Sequence, residues 1–365
     1  MARKAASALW RRPVPATITL PAVTQARFTF ATVVTRLLTL AVVGLPVAVV
    51  GQTYTNQDQS ARTELIEQGY PIKTGLRAVP ANEAALRDSD LVIGIAIGKE
   101  ARAYPLNPMW GPVNEVLNDT LAGVPVSVTW CPVAHTAVAY DPRSDGRRLE
   151  LGAVGLQSGV SILYDRQTGS WWSQIVGKAV RGPMEGRELR KWPSTLTTWG
   201  RWRRLHPGTT VNVNPELPGL RRFTQETWSW MVMFAGGGPV LNDDLVAGVL
   251  GSKGARAWLL RRLHAADRVV NDAVDGEPVV VFLGEDMVTV RVLRRTLAKR
   301  TLSFRADGDS LRDEETGSTW DPMTGRARSG PLAGKKLESA IFTTALWYAW
   351  RSQRPDTTLW SEPAS

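Results

Sequence analysis

Asp165 to Val211 reads D-R-Q-T-G-S-W-W-S-Q-I-V-G-K-A-V-R-G-P-M-E-G-R-E-L-R-K-W-P-S-T-L-T-T-W-G-R-W-R-R-L-H-P-G-T-T-V, and a worn copy of it returns at Asp313 to Leu359. The offset is a constant 148, with no gap. Eighteen of the 47 aligned positions are identical, where about three would agree by chance. Thr168-Gly169-Ser170 meets Thr316-Gly317-Ser318, Trp172 meets Trp320, Gly182-Pro183 meets Gly330-Pro331, and Trp199, Trp202 and Pro207 meet Trp347, Trp350 and Pro355. Upstream, V-I-G-I-A-I-G-K-E-A-R-A-Y from Val92 resembles V-A-G-V-L-G-S-K-G-A-R-A-W from Val246. A repeat this long implies one ancestral unit used twice. The expected fold is therefore a β-rich α+β body, two tandem units packed about a pseudo-twofold axis: 76–215, a connector 216–240, and a degenerate second unit 241–360.

The units are rich in short β-type runs punctuated by Gly, Pro and Asp. Leu91 to Ile97 and Glu100 to Tyr104 are expected to form a hairpin across Gly98-Lys99. A segment around Val113 to Asn118 follows, then strands Pro125–Trp130, Ala137–Tyr140 and Arg148–Val154. A helix capped by Ser194 or Thr195 is expected to run through Trp199 and Trp202 and stop before Pro207. Those tryptophans, three apart, share one face and suit core packing.

The chain has 365 residues, 43% hydrophobic and 21% charged, enough for a sizeable core and about two domains. Its +10 charge is uneven. Arg3, Lys4, Arg11, Arg12, Arg27 and Arg36 precede residue 52 with no acid among them, leaving 38 bases against 34 acids beyond. No basic stripe marks the folded part, so no nucleic-acid partner is expected. Residues 1–27 read as a basic cytoplasmic tail, and 28–51 as a transmembrane anchor long enough for a hydrocarbon core of roughly 30 Å. Residues 52–75 read as a polar linker. Basic residues ahead of the anchor place the bulk of the chain outside the cell membrane. A cleaved signal peptide, with Leu37–Val50 as its apolar core, is the alternative. With a single cysteine there is no intrachain disulfide in that compartment.

The units differ most where the first reads W-C-P-V-A-H-T-A-V-A-Y from Trp130 and the second L-G-E-D-M-V-T-V-R-V from Leu283. Cys131 and His135 stand only in the first, which suggests one active unit and one supporting unit; drift at a tolerant turn is the plainer alternative. Pro132 suits the first position of a helical turn, so Cys131 is expected at its N-cap, with His135 in reach as base or second soft ligand. The pair is a candidate catalytic thiol site and a candidate site for copper or another soft metal, with His206, Met184, Met231 and Met233 as further donors. Cys-Pro is also a weak haem-thiolate signature. An inert cysteine beside a core histidine is the competing reading. Gly236-Gly237-Gly238 lacks the context of a phosphate loop, no nucleophile elbow is present, Asp141 and Asp165 suit turns better than acid/base work, and His264 shows no partner.

The run from about Leu91 to Leu359 resembles the domain of unknown function 3179 family of bacteria and archaea, on A-R-A-Y-P-L at Ala101, E-V-L-N-D-T-L-A-G at Glu115, V-T-W-C-P at Val128, Y-D-R-Q-T-G-S-W-W-S-Q at Tyr164, G-P-M-E-G at Gly182 and L-T-T-W-G-R-W at Leu196. The resemblance brings no established activity. It implies a Cys-Pro-x-Cys turn with thiol or selenol redox chemistry or metal ligation. Here Ala134 takes the second cysteine's place, and Asn114 stands where members often have a histidine. Two functions remain open: thiol-redox or soft-metal work at Cys131 and His135, or a non-catalytic binding or assembly module that serves an exported or membrane protein partner.

Overall fold

The computed structural model describes residues 63–214, 223–233 and 239–361. The expected tail, anchor, signal peptide and glycine triplet lie outside those residues. Among the described residues, no helix is long and apolar enough to cross a membrane.

The body is mostly sheet, with four short α-helices among the described residues. Leu91–Ile97 and Glu100–Pro105 form the expected hairpin, extended on one side by Ser194–Thr198 and on the other by Thr210–Val213, which runs parallel to Glu100–Pro105. Leu245–Leu250 and Ala255–Leu259 form a second hairpin, flanked by Thr343–Leu346 and, in parallel, by Thr357–Leu359. These four strands share order and sense in the two sheets, and the first sheet adds Arg77–Pro80 beyond Thr210–Val213. In both, a helix crosses from one flanking strand to the other: Trp199–Leu205 in the first, Trp347–Gln353 in the second. Each lays a tryptophan on its sheet where a glycine leaves room. A Cβ on Gly94 would overlap the Trp202 ring, and one on Gly248 would overlap Trp350.

The helix begins later than the sequence suggests. Ser194 and Thr195 lie inside a strand, and Thr198 is the N-cap, its hydroxyl accepting from the Arg201 amide. The threonine-rich run Ser194–Thr198 serves the sheet first, because pairing it with Leu91–Ile97 gives five residues a register partner and covers an edge that a longer helix would leave open. The C-terminal end, at Leu205 with His206 as C-cap, falls where Pro207 dictates. The expected Arg148–Val154 strand is also shifted. Arg147–Arg148 close a small hairpin with Arg143–Ser144 around the positive-φ pair Asp145-Gly146, and the longer strand is Leu151–Gln157.

A second layer holds Val116–Leu121, Val124–Cys131, Thr136–Asp141 and Arg190–Trp192. Its counterpart is Val269–Val274, Glu277–Leu283 and Val290–Arg294. A meander hangs from each. In one, the Trp172 indole donates to Asp165 at 2.9 Å; in the other, Trp320 donates to Asp313 at 2.8 Å. Asp165 and Asp313 also tie down Thr168 and Thr316, so both close turns. Within the 52–75 stretch read as linker, Glu64–Leu65 pair with Leu156 and Gly155 at the edge of the first meander. One large apolar core runs through both halves, from Leu91, Trp130 and Cys131 to Trp258, Leu283 and Trp350.

Candidate functional site

Cys131 is the last residue of its strand, and Thr136 opposite it starts the next. Four residues, Pro132 to His135, make the turn between them. The Ala134 amide donates to Sγ at 3.4 Å, which is the N-cap geometry expected from Cys131-Pro132, on a single turn that never becomes a helix. The amides of Ser161 and Val133 also face the sulfur. His135 closes the turn at φ +49°, a left-handed conformation in which histidine is tolerated several-fold better than most side chains. Backbone geometry alone therefore accounts for part of its presence.

The thiol is fully buried. Burial pushes its pKa up to about 12, and the Glu115 carboxylate adds to the rise, outweighing the three amides. The protonated thiol is therefore the favoured form at neutral pH. Glu115 lies at the start of the neighbouring strand's ladder, where its carbonyl accepts from Trp130, and burial raises its carboxyl to about 8. At pH 7 both groups are mainly neutral.

Among the described residues no hydrogen bond joins Cys131 to His135. The His135 ring sits among aromatic rings: 6.3 Å from Trp130 and nearly parallel to it, 5.0 Å from Phe223 and 6.0 Å from Trp228. Burial lowers its pKa to about 4, so it stays neutral, and its Nδ1 has no hydrogen-bond partner. Trp228, on the Gln225–Met233 helix, and Phe223 come from the stretch read as connector and close the box. Orphan polar atoms gather around the turn: Trp130 Nε1, Trp228 Nε1, Ser161 Oγ and Gln174 Oε1 join His135 Nδ1.

The other candidate donors are dispersed. His206 packs on Trp202, its own helix's tryptophan, with ring centroids 4.2 Å apart. Met184 is buried in the core of the first meander, Met231 packs on the main core, and His264 is exposed. Among the described residues no group of three or more His, Cys, Asp and Glu side chains gathers to hold a metal. Asp141 is bound by Arg143 and Arg190, and the Arg143 hydrogen bond, the largest influence, holds it down at about 2. The sequence reading missed Glu115 and the Phe223–Trp228 lid. A carboxyl directly ahead of the apolar Val116-Leu117 was a legible signal for the first; nothing in the spacing placed the second.

Among protein families, one described as "Protein of unknown function (DUF3179)" matches residues 72–357. No curated protein and no solved structure matches the chain.

Proposed function

Because the chain belongs to the DUF3179 family, whose description carries no activity, we propose a function from the geometry: a non-catalytic binding or assembly module, tethered to the outer face of a bacterial cell membrane by residues 28–51. The observation that carries this reading is the full burial of Cys131, which keeps solvent from the thiol and pushes its pKa up, away from the thiolate that chemistry would need. The cysteine then acts as a small apolar side chain in the core. The body is one ancestral unit used twice about a pseudo-twofold axis, as the recurring bonds support. Trp202 donates to Thr209 and Trp350 to Thr357; Arg102 and Tyr104 engage Asp119 as Arg256 and Trp258 engage Asp272.

Thiol titration tests it. In the folded protein at pH 7.5, Cys131 should resist alkylation until denaturant is added. Rapid alkylation of the native protein, blocked by copper or zinc, would instead favour a redox or soft-metal role for Cys131 and His135. One observation speaks for that second reading: the orphan polar atoms around the turn mark a place where a ligand would find partners.

A further inference from the structure

A cleft between the two halves collects two cations and no acid. Val138, Lys191 and Trp192 line it from the first half, and Arg291, Ser339 and Ile341 from the second. Arg291 is 7% exposed. Its Nη1 donates to Thr195 at 2.9 Å and its Nη2 to Ser339 at 2.6 Å, while Nε has no partner. The Lys191 ammonium donates to the Ile175 carbonyl at 2.6 Å and to Thr343 at 3.1 Å, which leaves one of its three N–H groups over. Among the described residues neither side chain has a carboxylate within ion-pair distance. Glu188 and Asp321 act on them only from further off, and burial dominates, lowering Lys191 to about 7 and Arg291 to about 10. Two desolvated cations with donors to spare are costly unless an anion joins them.

The repeat sharpens the point. At the 148-residue offset, Lys191 corresponds to Ser339 and Thr195 to Thr343. Lys191 pairs with Tyr140 and Ser339 bridges Leu293, so Arg291 is the counterpart of Val138. Each half thus supplies one cation that the other lacks. Each cation donates to the equivalent threonine of the opposite half. Neutral residues at both positions would have filled the junction more cheaply. The cavity volume is about 10 Å³, which admits a water or one small ion and excludes bulkier solutes.

We propose that this cleft binds a small monoanion, a halide or the carboxylate group of a one-carbon acid, between Lys191 and Arg291. The bound anion ties the two halves together and stabilises the fold by mass action. This inference is independent of the thiol reading.

The test uses the full-length protein in mild detergent at pH 6, at constant ionic strength, with chloride or formate replacing gluconate, which is too bulky for the cavity. Chloride or formate should raise Tm saturably. Lys191→Met and Arg291→Met should each weaken that response by about tenfold or more, the worth of one charge-assisted hydrogen bond. If a variant fails to fold, the ³⁵Cl linewidth of the wild-type sample decides for a halide: broadening reversed by formate, but not by gluconate, supports the site. A Tm response to formate without ³⁵Cl broadening assigns the carboxylate. Equal Tm in all three salts with no broadening, or a response that both variants retain, overturns the proposal.

Discussion

Cys131, His135 and Glu115 are three titratable groups that burial holds neutral, and each leaves its own mark on stability against pH. Glu115 has a folded pKa of about 8, above its ordinary 4.5. The native state therefore holds an extra proton between those values, and the stability it contributes below pH 4.5 is lost as pH rises through 8. Glu115→Gln should flatten the decline in urea midpoint from pH 5 to pH 9; a decline parallel to the wild type would remove Glu115 as its source. His135 works in the opposite sense. Its folded pKa of about 4 lies below the ordinary 6.5, so the unfolded chain binds the extra proton and stability falls as pH drops from 6.5 towards 4. His135→Asn keeps a residue that tolerates the left-handed turn and should lessen that acid loss. An unchanged acid limb in urea titrations would count against it. The thiol, the imidazole and their turn were legible in the sequence. Their separation into a protonated sulfur and an aromatic-boxed ring was not, because Phe223 and Trp228 reach them from about ninety residues downstream.

At the scale of the element, the glycine–tryptophan stack fixes how each helix sits on its sheet. Trp202 and Trp350 were readable as core residues from their spacing. That they lie on Gly94 and Gly248 was not, since nothing in a linear text couples residues so far apart. Gly94→Ala and Gly248→Ala should each cost about 1–3 kcal/mol by forcing a ring off its strand. In a denaturation double-mutant cycle, Gly94→Ala combined with Trp202→Leu should cost less than the sum of the two, because the smaller side chain yields the space. Strict additivity would show that the close approach carries no strain. The misplaced helix start has a related cause. Local capping rules favoured Ser194 or Thr195, but the open edge of Leu91–Ile97 offered a strand partner, and tertiary pairing prevailed.

Across the whole molecule, contacts between the halves are reciprocal. Leu346 donates its amide to Ala134 at the Cys-Pro turn, and the Tyr348 hydroxyl donates there to Val133. On the other side, Arg201 on the Trp199–Leu205 helix binds Asp286, in the corresponding turn of the second half, at 3.0 Å, and also Asp309. Because one apolar core runs through both halves, urea unfolding followed by tryptophan fluorescence and by far-UV circular dichroism should trace one coincident transition. Two separated transitions would mean the halves are independent. Arg201→Met, which leaves the 9% exposed Asp286 carboxylate without its cation, should lower stability by about 2 kcal/mol or more while keeping that single transition.

The sequence by itself determined the β-rich body, most strand positions and the turn that carries Cys131, because periodicity, glycine placement and turn chemistry are local and survive in linear order. Only the tertiary structure decided the burial of the thiol, the pairing that consumed the helix start, and the meeting of Lys191 with Arg291 in one cleft. Burial set the first, strand pairing the second and contact between the halves the third, and each depends on residues that lie apart in the chain and meet only in the fold.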